Sequence, residues 1–257
     1  MTEPLLKITG LTKQFGGLTA VDDFHLSIPK GAIYGLIGPN GAGKTTVFNM
    51  VTGIIPPTSG TIVFDGKDIT GQQPHLIARK GIARTFQNIK LFESLTVFKN
   101  VLTVAQAQMT YNLLESTLHI GRYRKQEKEM EAFSHSILEQ MGLAPYADMI
   151  SSNLAYGLQR RVEIARAMAL KPKLLILDEP AAGMNEDESL ALVELIVSLR
   201  DQFDLTVLVI DHHMDMIMRL CEKITVLNFG KYIAFGTPEE IQANDHVIEA
   251  YLGVDDE

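Results

Sequence analysis

The chain has 257 residues, 46% of them hydrophobic and 21% charged, and its 23 basic against 31 acidic side chains leave a net charge of -8. That length suits one large domain or two small ones with a sizeable core, and the ordinary apolar and charged fractions exclude wholesale disorder. No apolar run reaches the roughly 18–20 residues a bilayer span needs, and the acidic balance argues against a phosphate-backbone partner such as nucleic acid. The start, Met1-Thr2-Glu3-Pro4, has no basic patch leading into an apolar stretch, so no secretory signal is expected. Cys221 stands alone, cannot form an internal disulfide, and fits a reducing compartment.

Along the chain, short apolar runs alternate with longer stretches of helical period, which predicts an α/β fold with a largely parallel sheet. Strands are expected at 6–8, 33–37, 61–64, 174–178, 206–211 and 224–229. Several are apolar on both sides, as strands are when both faces of the sheet are covered. Residues 20–29 and 60–66 are short and punctuated by turns, and predict an antiparallel sub-sheet. Residues 96–142 show no strand pattern. Within them, 121–141 is charged but carries Met130, Phe133, Ile137, Leu138 and Met141 at helical spacing, which predicts a helical subdomain with an inward apolar stripe. The tail Asp255-Asp256-Glu257 reads as a solvated end.

The strongest motif follows the second expected strand: Gly38-Pro39-Asn40-Gly41-Ala42-Gly43-Lys44-Thr45-Thr46, leading into a helical pattern. Strand, glycine-rich loop and helix in this order form a phosphate-binding loop of spacing G-x-x-x-x-G-K-T. Glycines let successive N–H groups point at an anion, and the positive end of the helix adds to their field. Lys44 can reach the β- and γ-phosphates of a nucleotide, and the Thr45 hydroxyl can ligate Mg²⁺. A nucleoside triphosphate site is expected.

Further on, Leu174-Leu175-Ile176-Leu177 ends in Asp178-Glu179-Pro180. In a parallel sheet the end of this strand falls beside the loop, at the carboxyl edge. Neighbouring strand residues point opposite ways, which gives the two carboxylates separate tasks. Asp178 suits the Mg²⁺ shell, and Glu179 is placed to polarise an attacking water. The pair His212-His213 makes a poor metal site, because neighbours diverge at a strand end and no cluster of cysteines or carboxylates completes it.

Further segments, in order, resemble the ATP-binding cassette family over essentially the whole chain. Thr85-Phe86-Gln87 looks like its glutamine loop, and Leu154-Ala155-Tyr156-Gly157-Leu158 occupies the place of its signature. Ala181-Ala182-Gly183-Met184-Asn185 is similar to the dimer-contact loop, His212 to the switch histidine, and Phe15 to the aromatic residue that stacks on adenine. The resemblance implies one cassette domain over 1–257, with 1–95 and 165–257 as catalytic core and antiparallel sub-sheet and 96–164 as helical subdomain carrying the signature. It implies ATP and Mg²⁺ as cofactors, with Thr45, Gln87 and Asp178 toward the metal and Lys44, Gln87, Glu179 and His212 in hydrolysis. Ala155, Tyr156 and Gly157 would face the ATP of a second cassette.

Two departures stand out. The family signature is Leu-Ser-Gly-Gly-Gln, and here Ser becomes Ala155, the first Gly Tyr156 and the Gln Leu158. Asn185 replaces the usual Asp. Losing the serine hydroxyl removes a donor worth about 1.5–3 kcal/mol to a charged acceptor, while the backbone donors of the following helix remain.

Within the family, the signature segment with Arg160-Arg161-Val162-Glu163, the run 177–185 and the ending 235–253 most resemble the ATPase subunits of branched-chain amino-acid importers. This resemblance implies uptake of a branched-chain or other hydrophobic amino acid, at the cytoplasmic face of the cell membrane and peripheral to it. It implies a second ATPase subunit in a homo- or heterodimer, two membrane permeases and, indirectly, a solute-binding protein. Transport of another solute (urea, or lipid export) and an ATP-gated machine acting on nucleic acid or ribosomes stand as the alternatives.

Overall fold

The computed structural model describes residues 3–107, 122–211 and 214–252. It divides into two compact units, Met1–Arg84 with Lys173–Glu257, and Thr85–Pro172.

In chain order the first unit holds β1 (Leu6–Phe15), β2 (Leu18–Ile28), β3 (Ile33–Ile37), α1 (Lys44–Val51), β4 (Ser59–Phe64), β5 (Lys67–Asp68), α2 (Pro74–Arg79) and β6 (Ile82–Arg84). The second unit follows with α3 (Val97–Gln106), α4 (Arg122–Gln140) and α5 (Tyr156–Met168). The chain then returns through β7 (Leu174–Asp178), α6 (Glu186–Phe203), β8 (Thr206–Ile210), α7 (Met214–Leu220), β9 (Lys223–Asn228), β10 (Lys231–Gly236), α8 (Pro238–Gln242) and α9 (Asp245–Leu252).

Two sheets make the first unit. A four-stranded antiparallel sheet runs β2-β1-β4-β5, and a six-stranded sheet runs β10-β9-β3-β8-β7-β6. In the second sheet β9, β3, β8, β7 and β6 are parallel, and β10 reverses against β9. Every residue of β3, β7 and β8 is buried, which is why these segments are continuous apolar runs rather than alternating ones. Phe24, Leu36, Phe48, Phe64, Ile176 and Leu208 join one core cluster drawn from both sheets and α1. Each such side chain contributes about 1.5–3 kcal/mol by leaving water.

The expected strands 33–37 and 174–178 coincide with β3 and β7, and 206–211 and 224–229 differ from β8 and β9 by a residue at their ends. The expected strand 6–8 is too short, because β1 pairs with β2 on one side and β4 on the other. Neither β6 nor β10 was expected. Three residues are too few to display a period, and β10 is an edge strand whose Tyr232 and Phe235 stay exposed.

In the second unit, Ile137, Leu138 and Met141 are buried, while Met130 and Phe133 are half-buried. The Lys171 ammonium sits 4.4 Å from the Phe133 ring centre. Thr96 caps α3 by accepting from the Lys99 N–H, and buried Asn100 bonds both the N–H and the carbonyl of Phe92. The expected helical span 96–164 lies inside this unit. The added front is the loop 85–95, bonded to side chains of α5, and the added rear includes the last turn of α5. Among the described residues no helix is long and apolar enough to cross a membrane.

Candidate active site

The loop after β3 takes a shape that only glycine tolerates at two points. Gly38 has φ 151°, and a Cβ there would lie 2.1 Å from the Leu227 carbonyl oxygen. Gly43 has φ 100°, and its Cβ would lie 2.5 Å from the Ala20 oxygen. Both collisions are with backbone, which cannot swing aside as a side chain does. The turn between β9 and β10 braces the loop: Gly230 N–H donates to Ala42 O at 3.0 Å, and Gly230 O accepts from Asp22 N–H at 2.8 Å. Pro39 and Ala42 are buried and Thr46 is half-buried, whereas Asn40, Gly41 and Thr45 are exposed. No side chain caps the start of α1, so its leading N–H groups keep their capacity for an anion.

Lys44 is 7% exposed and folds back on the loop, donating to Gly38 O at 2.5 Å and Pro39 O at 2.8 Å. Burial pushes its ammonium below the usual lysine range, while the carboxylates of Glu179 and Asp178 pull it back up. The structure therefore brings three of the expected site residues, Lys44, Asp178 and Glu179, into one electrostatic neighbourhood. They meet because β3, β8 and β7 are parallel and adjacent in that order, which puts all their carboxyl ends on one edge.

At that edge the two carboxylates are held differently. Asp178 closes β7, is 6% exposed, and accepts from Arg84 Nη2 at 2.7 Å. Glu179 is half-buried and left-handed (φ 46°), a backbone state uncommon for a residue with a Cβ. Its N–H still donates to Ile210 O at 2.7 Å, extending the β7–β8 ladder by one bond. The turn then closes through Ala182 N–H to Glu179 O at 3.2 Å, and buried Asp211 accepts from Ala181 N–H at 3.3 Å. A positive φ in a residue with a Cβ is a strained state of the kind found at functional turns.

The donor set fits Mg²⁺: an exposed hydroxyl on Thr45 and a buried, ionically fixed carboxylate on Asp178 are hard oxygen ligands. Among the described residues no group of three or more His, Cys, Asp or Glu forms an alternative metal cluster.

Phe15 ends β1, is 47% exposed, and has the Lys13 ammonium 5.1 Å from its ring centre. Gln87 is exposed in the second unit, as are Ala155 and Tyr156, with Gly157 half-buried. Ala155 precedes α5 and offers no side-chain cap, so the start of that helix presents backbone donors alone. His212 and His213 fall outside the described residues. Asn185 caps α6, its Oδ1 accepting from Glu188 N–H at 2.9 Å while Glu188 Oε2 accepts from Asn185 N–H at 3.1 Å. Asn and Asp cap a helix about equally well, which accounts for the tolerated replacement at this position.

Sequence reasoning missed Arg84. It binds Asp178, donates to Asn49 Oδ1 at 2.7 Å and lies 5.8 Å from the Phe48 ring centre. A basic residue closing a strand too short to recognise gives no warning of this. The buried pair Arg160 and Glu163 was missed as well, because opposite charges three apart on a helix read as a solvated face.

A family model described as ABC transporter matches residues 21–182, and one described as branched-chain amino acid ATP-binding cassette transporter matches 233–257. Over 253 residues the chain is 45% identical to the high-affinity branched-chain amino acid transport ATP-binding protein BraF of Pseudomonas aeruginosa, covering 98% of this chain and 99% of that one. It is 36% identical over 250 residues to the lipopolysaccharide export system ATP-binding protein LptB of Escherichia coli, covering 97% and 98%. A crystal structure of an ATP-binding cassette of an ABC transporter in its ADP conformation matches with a TM-score of 0.86 at 30% identity, covering 98% of this chain and all of that one (100%).

Proposed function

The chain belongs to the ATP-binding cassette transporter family, and from that premise we propose that it is the ATP-hydrolysing subunit of a membrane importer for branched-chain or other hydrophobic amino acids. The observation that carries the substrate class is end-to-end likeness to BraF at 45% identity, together with the branched-chain match at 233–257.

Phosphoryl transfer to water needs positioning and neutralised charge more than covalent chemistry. In this reading the N–H groups of residues 40–46 cradle the phosphates, Lys44 neutralises the β/γ charge, and Phe15 stacks on the base. Thr45, Asp178 and Gln87 would hold Mg²⁺, which would supply charge neutralisation at the phosphates. Glu179 takes a proton from the attacking water, and His212 bonds the γ-phosphate. Ala155, Tyr156 and Gly157 face the ATP of a second cassette subunit, homologous or identical. Hydrolysis then separates the two, and two permeases and a solute-binding protein complete the importer. The chain sits peripherally at the cytoplasmic face of the membrane.

The test is to reconstitute the chain in liposomes with two branched-chain importer permease subunits and a solute-binding protein, and to measure ATP-dependent uptake of labelled leucine. Uptake that needs both ATP and the solute-binding protein supports the reading. ATP-driven lipid release without leucine uptake would favour the second reading, suggested by the likeness to LptB.

A further inference from the structure

Arg160 is the largest fully buried side chain among the described residues, with no exposed surface. A buried guanidinium is strongly disfavoured unless its donors are satisfied, so its partners indicate its purpose. Nη1 donates to Glu163 Oε2 and to Phe86 O, both at 2.7 Å, and Nη2 donates to Gln87 O at 2.8 Å and Tyr156 Oη at 3.3 Å. Glu163 closes the ring from the other side, its Oε1 accepting from Phe86 N–H at 3.2 Å. One turn further, Arg166 donates to Lys90 O and lies 4.6 Å from the Phe92 ring centre. Residues 160, 163 and 166 therefore line one face of α5, and that face holds both backbone groups of Phe86 and the carbonyl of Gln87.

We propose that Arg160 and Glu163 are positioning residues that fasten the backbone of the Gln87 segment to α5, so that movement of the helix start at Ala155–Gly157 moves Gln87 with it. A buried ion pair serving stability alone would be replaceable by apolar side chains of similar volume. This pair instead spends its hydrogen bonds on consecutive peptide groups of one loop. Gln87 keeps its side chain exposed while its backbone is fixed. The idea rests on the proposed roles of Gln87 and of residues 155–157 toward nucleotide.

Two readouts on the full chain test it. In Arg160→Met, amide hydrogen exchange at Phe86, whose N–H is held by Glu163, should quicken by about tenfold or more, while the amides of β3 and β7 stay protected. Unchanged exchange at Phe86 would overturn the fastening. For ATP hydrolysis, kcat should fall about tenfold with KM within about threefold, and Arg160→Met should add less than about twofold in a Gln87→Ala background. Losses that multiply independently would show that Arg160 does not act through Gln87. A Gln87→Ala variant with normal turnover would refute the role of Gln87 instead, leaving hydrogen exchange to decide the fastening. Arg160→Lys should restore stability but not kcat, because an ammonium cannot reproduce the planar fork. If Arg160→Met fails to fold, Glu163→Gln carries the same exchange test.

Discussion

The two units use buried charge to opposite ends. In the first, Lys44, Asp178 and Glu179 gather where parallel strands end, and the proposed chemistry is assigned to the charged groups themselves. In the second, Arg160 and Glu163 are buried more deeply than any of these, yet beyond each other and Tyr156 their hydrogen bonds go to backbone of one loop, and the side chains at the helix start are an alanine and a tyrosine. The lesson concerns how a site tolerates substitution. On the proposed role of residues 155–157, a region that works through backbone N–H groups can carry Ala155 in place of a serine, provided something else fixes where that backbone lies. A region that works through side-chain charge cannot exchange Lys44 or Asp178 in the same way.

The sharpest way to break this comparison is Arg84→Met. The Arg84–Asp178 pair is buried on both sides, and deleting one partner of a buried ion pair is strongly destabilising, so unfolding free energy should drop by about 3–5 kcal/mol. Chemical denaturation measures this, and a loss below about 1 kcal/mol would place the pair with weak surface bridges. Next comes pH. Burial lowers the Lys44 ammonium from the usual lysine range, against the pull of Glu179 and Asp178, so its charge is lost at lower pH than that of an exposed lysine. ATP kcat/KM should therefore decline on the alkaline side, approaching about tenfold per pH unit. A profile flat up to the ordinary lysine range would contradict the burial effect. The smallest effect separates capping from charge at the contact loop. Asn185→Ala should lower stability by about 1 kcal/mol, whereas Asn185→Asp should change it by only a few tenths, as thermal melts would resolve.

Legibility in the sequence followed the same division. Strands β3, β7 and β8 were readable because burial on both faces demands unbroken apolar runs, and the loop after β3 because a backbone pressed against Leu227 O and Ala20 O leaves glycine as the residue that fits. Glu179 was singled out by its place at a strand end, but its left-handed turn was not, since nothing in Asp-Glu-Pro announces a positive φ. Strand β6, and with it Arg84, was hidden by its length. Arg160 and Glu163 were hidden by chemistry: a charged pair on a helix reads as a solvated face, and only the tertiary fold reveals acceptors from residues 86 and 87 on its far side. Boundaries of the helical unit were displaced for the same reason, because the loop 85–95 belongs with α5 through those bonds.

The central claim is that the chain hydrolyses ATP at the strand-end edge of the first unit with Glu179 as base. Single-turnover hydrolysis by Glu179→Gln, with nucleotide binding measured in the same preparation, tests it most directly. ATP should bind with unchanged affinity while hydrolysis slows by about a hundredfold or more. A folded Glu179→Gln protein that binds ATP and turns it over at the wild-type rate would contradict the account.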